Sequence, residues 1–277
     1  MKFSTIKETE DNYSPKVKEY LKYIEMIHRD CKPFLAKEKN LLSRGLGSEN
    51  DLFIEKQIRT DRRPKDTDPK MSKFFDEVFY ELFRVKLRSE ALFAIRQSGH
   101  STEYGNAYII FPQGKYDIFV STSISDLYTD IAGKGLFPYL MADVTKQEFM
   151  KLGDNQEESD TIGNLYDMFD HYNTQDVLRN LHSVHVEFKS AADKMIGFIE
   201  QFVKEIIKDS YQYDDGTNMR NELMITIHDS ERKYYGINVS QLRRKVPAGD
   251  VEVFTGSPAN LLAYLEVNLR HGILKYL

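Results

Sequence analysis

Short β-type runs occur in two separated groups along this chain, with a long helical stretch between the groups. The runs cover residues 92–95, 107–111 and 116–120 in the first group, and 223–227 and 234–238 in the second. Strands in two groups with helices between them do not fit a regular alternation of strands and helices. The pattern therefore predicts a protein of the α+β class.

Apolar residues outside these runs recur mostly at helical spacing. We expect helices over 14–40 with a break at Cys31-Lys32-Pro33, over 71–87, within 154–178 and 191–207, and over 258–269. Other local signals predict a strand over 40–46, a loop over 47–70, a hairpin connection at Pro112-Gln113-Gly114, and a last strand over 251–255.

The composition excludes several classes of protein. A net charge of −5 over 277 residues argues against a protein that binds nucleic acid by general charge attraction. A single cysteine, Cys31, excludes an intrachain disulfide, and the charged N-terminal residues lack the apolar core of a secretion signal. The chain has no run of about 18 apolar residues, so we expect no membrane-spanning helix. These features predict a cytoplasmic protein.

Several common ligand-binding motifs are absent from the sequence. It contains neither the glycine-rich dinucleotide fingerprint nor a phosphate-binding P-loop. His182 and His185 have a spacing at which both can contact one metal ion, but no acidic group completes a ligand set. We therefore expect no metal site.

Two segments carry side chains suited to binding a nucleotide. Arg44 follows an apolar run and precedes Gly45, and its planar guanidinium can bind a diphosphate or a ribose. Phe93 belongs to an apolar run that is followed, after a polar loop, by Ser101 and Tyr104. In a helical turn the last two share one face, where the hydroxyl can bind an amide and the ring can stack on a cationic heterocycle.

A third segment contributes a carboxylate. Glu222 immediately precedes the apolar run 223–227, which places it at the end of a predicted strand. Taken in order, the three segments resemble the ADP-ribosyltransferase superfamily. The Phe93-Ala94 run with Ser101 and Tyr104 resembles the poly(ADP-ribose) polymerase pattern, although Leu92 stands where that branch usually has tyrosine.

The first and third segments resemble the branch of this superfamily found in many bacterial and phage toxins, whose first motif carries arginine. The chain is also similar to tailed-phage proteins with an Arg-Gly segment, an Asp-Arg-Arg-Pro loop and a Tyr-Gly/Phe-Pro run. The corresponding residues here are 44–45, 61–64, 104–105 and 111–112. A phage-encoded enzyme of this kind would act in the host cytoplasm.

The resemblance implies a split pair of small β-sheets with surrounding helices. It implies an N-terminal helical segment over 1–40, followed by an ADP-ribosyltransferase-like domain over 41–277 with a helical insertion around 136–210. NAD⁺ would be the substrate, bent in a cleft where the two sheets separate.

The resemblance also implies a role for each candidate residue. Arg44, beside Gly45, would hold the diphosphate or the adenosine-side ribose. Ser101 would bind the nicotinamide amide, Tyr104 would stack on its ring, and Phe93 would also belong to the cofactor-binding residues. Glu222 would be the catalytic carboxylate, which binds the 2′-hydroxyl of the nicotinamide ribose and opposes the positive charge of an oxocarbenium-like transition state. The acceptor would be a protein or a nucleic acid.

Three alternatives remain open at this point. Water as acceptor would make the protein an NAD⁺ glycohydrolase, and a cleft without turnover would make it an interaction or virion protein. The second motif has a competitor, because Ser121-Thr122-Ser123 matches the Ser-Thr-Ser of the arginine branch. Arg220 occupies the position where arginine-modifying members carry Glu or Gln, which argues against arginine as the acceptor side chain.

Overall fold

The computed structural model of the protein describes residues 13–47, 49–60, 69–96, 105–121, 123–124, 146–169, 189–214, 223–246, 248–271 and 274. The chain divides into two compact units. The first comprises residues 1–60, 90–120 and 213–277, and the second comprises 61–89 and 121–212. The domain boundaries inferred from the sequence stay a prediction.

The described part of the chain mixes helices with eight strands. The strands are β1 (Ser43–Leu46), β2 (Phe53–Gln57), β3 (Leu92–Ala94), β4 (Asn106–Pro112), β5 (Tyr116–Ser121), β6 (Tyr211–Tyr213), β7 (Leu223–Ile227) and β8 (Lys233–Asn238). The helices are α1 (Pro15–Asp30), α2 (Lys32–Lys37), α3 (Pro69–Phe83), α4 (Leu87–Glu90), α5 (Lys146–Met150), α6 (Gln156–Phe169), α7 (Lys189–Ser210), α8 (Val239–Arg243) and α9 (Pro258–Arg270), with a 3₁₀ helix at Ala248–Thr255. None of these helices combines the length and the apolar character that crossing a membrane requires.

The strands form two four-stranded sheets, in the orders β1-β4-β8-β2 and β3-β7-β5-β6. The recorded strand pairs are antiparallel. The α+β class predicted from the sequence is confirmed, together with two small antiparallel sheets. A single bridge between Ser43 and Ile95 joins the ends of β1 and β3, one strand from each sheet.

Among the connections that carry the chain from one sheet to the other, two are short. The chain leaves β4 in the first sheet and enters β5 in the second, and it returns from β7 to β8. At these corners the amide of Gln113 donates to the carbonyl of Lys233 (3.0 Å), and the amide of His228 donates to the carbonyl of Lys115 (2.9 Å). The predicted hairpin at 112–114 is therefore wrong, because its backbone groups bond other segments and β4 and β5 belong to different sheets.

The N-terminal helices belong to the core of the first unit. Ser14 caps α1 by accepting the amide of Val17 (3.2 Å), and a buried stripe on α1 includes Ile24 and Ile27. These side chains join one hydrophobic cluster with residues of both sheets, such as Ile109 and Ile225. The predicted break at Cys31 is confirmed, since α1 ends at Asp30 and α2 begins at Lys32.

Most of the described part of the second unit is helical. Two carboxylates, Asp154 and Glu158, contact the ammonium of Lys194 and so join the start of α6 to α7. Phe79 on α3 packs edge-on against Tyr211, with ring centroids 5.0 Å apart. The helices predicted over 71–87 and 191–207 are confirmed with shifted bounds, whereas 170–178 lies outside the described residues.

Two further local predictions are wrong. The loop predicted over 47–70 contains β2, because Phe53 and Ile54 are buried and the segment pairs with β8. The strand predicted over 251–255 lies in the 3₁₀ helix, where Val253 and Phe254 are half-buried and Glu252 and Thr255 are exposed. A short apolar run therefore did not distinguish an extended segment from a tight helical one.

Candidate functional site

Arg44 is central among the described candidates because it lies where the two sheets meet. Its strand neighbour Ser43 forms the bridge to Ile95, and its own guanidinium Nη1 donates a long hydrogen bond of 3.4 Å to the carbonyl oxygen of Phe93. The side chain is partly buried, and its Nε atom is buried without a hydrogen-bond partner in the part of the chain that the structure describes. A buried donor without a partner is costly, so this guanidinium retains capacity for a ligand.

The sheet face beneath Arg44 is aromatic and polar. Arg44 pairs with Tyr108 across β1 and β4, and Tyr108 pairs with Asn238 across β4 and β8. The phenol of Tyr108 donates to the carbonyl of Asp51 (2.8 Å) and accepts from the amide group of Asn238 (3.0 Å). Burial raises the pKa of the Tyr234 phenol on β8, while the positive charge of Arg44 acts in the opposite direction.

Gly45 and Phe93 occupy neighbouring places on the two sheets. Gly45 pairs with Ala107, in the middle of the β1–β4 ladder. Phe93 pairs with Met224, and its side chain is 7% exposed. The ring of Phe93 therefore belongs to the core. Phe93 contacts Arg44 through its backbone carbonyl.

The other predicted site residues, Ser101, Tyr104 and Glu222, lie outside the described residues. They belong to the segments 97–104 and 215–222, and the structure describes the residues on both sides of each segment. Arg44 and these flanking residues therefore indicate where in the fold the candidate site would lie.

The flanks of 97–104 adjoin the two ends of β1. Arg96, at its start, follows Ile95, which bridges Ser43. Gly105, at its end, lies against the backbone of Gly47, just beyond β1. Gly105 has a φ of +117°, and a Cβ atom there would lie 2.6 Å from the Cα atom of Gly47. Glycine at this position thus permits the close approach of the two strands.

The flanks of 215–222 reach the same region. Leu223, which follows Glu222 in the chain, pairs with Ala94 on β3. Asp214, which precedes the segment, forms a buried ion pair with Arg96, with Nη1 and Oδ1 3.2 Å apart. Both segments therefore begin and end around β1 and the end of β3.

Sequence reasoning missed the buried charged cluster around Arg96. Besides Asp214, the guanidinium lies 3.7 Å from a carboxylate oxygen of Glu38, which in turn accepts the phenol of Tyr116 at 3.1 Å. Burial raises the pKa of Tyr116, and the charge of Glu38 raises it further. The partners Arg96 and Asp214 are 118 residues apart, so no local pattern could have indicated them.

The serines of the competing motif have local partners. The Ser121 hydroxyl accepts the amide of Ile124 at 2.8 Å, and the Ser123 hydroxyl donates to the hydroxyl of Ser210 at 2.7 Å. Thr122 lies outside the described residues. Both described serines therefore take part in the local structure of their own unit.

Two features of the described ranges bear on metal binding and on nucleotide binding. No group of three or more histidine, cysteine or acidic side chains in those ranges is arranged to hold a metal ion, and His182 and His185 lie outside them. A cavity of about 10 Å³ beside Arg96, lined also by Ser43 and Phe254, has room for about one water molecule. It is too small for a dinucleotide.

The chain matches no protein-family model, and comparisons with curated proteins and with solved structures give no match. The resemblance to ADP-ribosyltransferases therefore depends on the residues of the three sequence segments alone.

Proposed function

We propose that the protein is an NAD⁺-dependent mono-ADP-ribosyltransferase that modifies a macromolecule, with Glu222 as the catalytic carboxylate. One observation carries the proposal: the residues that flank 97–104 and 215–222 lie close to β1 or to the end of β3, the two strands that Arg44 joins by its hydrogen bond to the carbonyl of Phe93. Segments far apart in sequence, each with a candidate side chain, are thus flanked by residues near β1 or the end of β3, and Arg44 on β1 has a buried donor without a partner in the described chain.

The proposed reaction replaces one glycosidic bond by another. The bond between nicotinamide and C1 of the ribose breaks, and its electron pair leaves with nicotinamide, which becomes neutral. A nucleophilic atom of the acceptor then bonds to C1 and releases its proton to solvent. Glu222 accepts a hydrogen bond from the ribose 2′-hydroxyl and opposes the positive charge that develops on the sugar, an effect that is larger in the transition state than in the ground state.

Arg44 fits the role of an anion-binding residue in this reaction. Its fork of N–H groups suits the diphosphate of NAD⁺, and its partly buried position strengthens the electrostatic attraction relative to water. Ser101 would bind the nicotinamide amide, and Tyr104 would stack on the ring.

The decisive experiment follows the label of [adenylate-³²P]NAD⁺ in a cell lysate and in purified DNA. We expect wild-type protein to transfer label to a macromolecule and to release nicotinamide. Glu222→Gln should lower both rates by about 10²–10³, the scale of losing one group that stabilises transition-state charge. Glu231→Gln, an exposed carboxylate paired with Lys233, is the matched control and should behave as wild type.

Three results would contradict the proposal. Equal activity of wild type and Glu222→Gln would remove Glu222 from the mechanism. Nicotinamide release without any labelled macromolecule would assign the protein as an NAD⁺ glycohydrolase instead, and NAD⁺ binding without turnover would assign a non-catalytic role.

A further inference from the structure

Tyr213, at the end of β6, exposes an aromatic ring that is held in place from below. Its exposed fraction of 57% is the largest among the exposed large apolar side chains of the described chain. The ring lies on that of the buried Phe119 on β5, with centroids 4.6 Å apart and planes inclined by 38°. A tyrosine supported in this way loses little conformational freedom when a partner binds, so its exposed face is suited to recognition.

A carboxylate projects from the same face of this sheet. Asp117 precedes Phe119 by two residues on β5, so the two side chains share one face at a spacing of about 7 Å along the strand. The side chain of Asp117 is 40% exposed, and its Oδ2 atom lies 2.6 Å from Nε2 of His228, just after β7. This contact orients the carboxylate, and its other oxygen, Oδ1, has no partner in the part of the chain that the structure describes.

Other aromatic rings of the protein indicate which group binds to such a face. Tyr80, the other exposed aromatic residue among those described, has the guanidinium of Arg84 at 5.8 Å from its ring centroid. The half-buried ring of Phe254 has the guanidinium of Arg243 at 5.2 Å. Within the described ranges no cation lies over the ring of Tyr213, which leaves that face open to a cation from another molecule.

We propose that the Tyr213 surface, formed by Tyr213, Phe119, Asp117 and His228, binds an arginine side chain of a partner protein. The planar guanidinium stacks on the exposed ring, and one of its N–H groups donates to Oδ1 of Asp117. Both contacts select a cation, and the stacking selects a planar one.

The charge of the surface distinguishes this partner from a nucleic acid. A base can also stack on tyrosine, but its phosphates would approach the carboxylate of Asp117, on a chain whose net charge is −5. The observations therefore favour a peptide segment with an accessible arginine. This inference is independent of the proposed transferase function.

The test is an NMR titration of the full-length protein with the peptide acetyl-Gly-Arg-Gly-amide and with its citrulline counterpart, which keeps the planar group and lacks the charge. We expect saturable shifts of the amide signals of Phe119 and Tyr213 with the arginine peptide. The citrulline peptide should bind at least about threefold more weakly, the scale of an exposed cation–π contact.

Three variants locate the binding. Tyr213→Leu and Asp117→Asn should each raise the dissociation constant of the arginine peptide by about twofold to fivefold. Tyr80→Leu is the matched control, because it removes an exposed ring that Arg84 already covers, and it should bind as wild type does. The amide spectrum of each variant shows directly whether its fold is intact.

Four results would overturn the inference. They are the absence of saturable shifts with the arginine peptide, equal binding of the citrulline peptide, wild-type binding by both Tyr213→Leu and Asp117→Asn, and an equal loss in Tyr80→Leu. Tighter binding of a single-stranded oligothymidylate at the same amides would also overturn it and would assign a nucleic-acid surface instead. None of these results depends on whether the protein turns over NAD⁺.

Discussion

Gly105 lies so close to Gly47 that a Cβ atom on Gly105 would be 2.6 Å from the Cα atom of Gly47. The contact joins the start of β4 to the end of β1. Its other near atoms also belong to backbone, the nitrogen of Gly47 and the carbonyl carbon of Leu46, both at 2.8 Å. Backbone cannot move aside as a flexible side chain can, so a side chain at Gly105 forces the two strands apart.

Gly105→Ala should therefore be strongly destabilising. The φ of +117° alone is unfavourable for alanine, at about 1–3 kcal/mol, and the backbone clash adds to that cost. Gly47→Ala is the matched control, because a Cβ atom there meets nothing within 4 Å, and it should change stability by less than about 0.5 kcal/mol. Urea unfolding followed by circular dichroism measures both, and equal losses would contradict this account of the contact.

The guanidinium of Arg44 gives a prediction about substrate binding. Arg44→Lys keeps the positive charge and loses the planar fork, and with it one hydrogen bond to a charged group. Such a bond contributes about 1.5–3 kcal/mol, so KM for NAD⁺ should rise by about tenfold to a hundredfold. Arg244→Lys, at an exposed arginine of the same unit, is the control and should leave KM unchanged. A KM for Arg44→Lys equal to that of wild type would exclude Arg44 from the NAD⁺ site.

The buried phenol of Tyr116 should contribute measurably to stability. Its hydroxyl donates to the buried carboxylate of Glu38, and Tyr116→Phe leaves that acceptor with one donor fewer, at a cost of about 1–3 kcal/mol. Tyr264→Phe removes a comparable bond to Asp250 (2.8 Å) in an exposed setting, where the cost should stay below about 1 kcal/mol. Denaturant unfolding measures the loss in unfolding free energy for each variant. Equal losses would contradict the prediction that burial makes the bond of Tyr116 more costly to remove.

The carboxyl of Asp30 should make the stability of the first unit depend on pH in the acidic range. Hydrogen bonds from Arg29 and from the phenol of Tyr235 lower the pKa of its carboxyl below the ordinary value of 3.8. A group with a lowered pKa in the folded state contributes stability above its unfolded pKa, and this contribution is lost as the pH falls through the folded value.

The unfolding free energy of wild type should therefore decrease from about pH 5 downwards more steeply than that of Asp30→Asn. Glu252→Gln, at an exposed acidic residue, controls for the loss of one negative charge. Thermal unfolding at a series of pH values measures the slopes, and identical slopes for wild type and Asp30→Asn would contradict the predicted role of the carboxyl.

Local patterns predicted the elements of this fold better than their pairing. The apolar stripe over 71–87 and the break at Cys31 are properties of a few neighbouring residues, and both predictions are confirmed. The partner of β4 is not a local property. Pro112-Gln113-Gly114 has the composition of a hairpin turn, yet Gly114 donates its amide to the carbonyl of Asp30 on α1 (2.8 Å), and the chain crosses to the other sheet. Only the packed molecule determines that outcome.

The same distinction applies to the candidate site. Arg44 and Gly45 were identified from their position after an apolar run, and the strand there confirms that local context. The charged partners of Arg96 come from Glu38 and Asp214, in separate parts of the chain, and nothing in the residues around Arg96 specifies them. In the sequence, the two residues of a long-range ion pair are two unrelated charges, each next to an apolar run.

The choice between the two versions of the second motif gives the last prediction. The hydroxyls of Ser121 and Ser123 already have protein partners, the amide of Ile124 and the hydroxyl of Ser210. These bonds orient both hydroxyls towards the local structure of their own unit, which favours Ser101 as the nicotinamide-binding serine.

Ser101→Ala should therefore weaken turnover of NAD⁺, with kcat/KM reduced by about twofold to tenfold, the effect of one neutral hydrogen bond. Ser123→Ala should keep the kcat/KM of wild type and lose only the stability that its bond to Ser210 provides. Nicotinamide release measured at several NAD⁺ concentrations separates the two. The reverse result, with Ser123→Ala impaired and Ser101→Ala intact, would assign the second motif to Ser121-Thr122-Ser123 and would remove Ser101 and Tyr104 from the site.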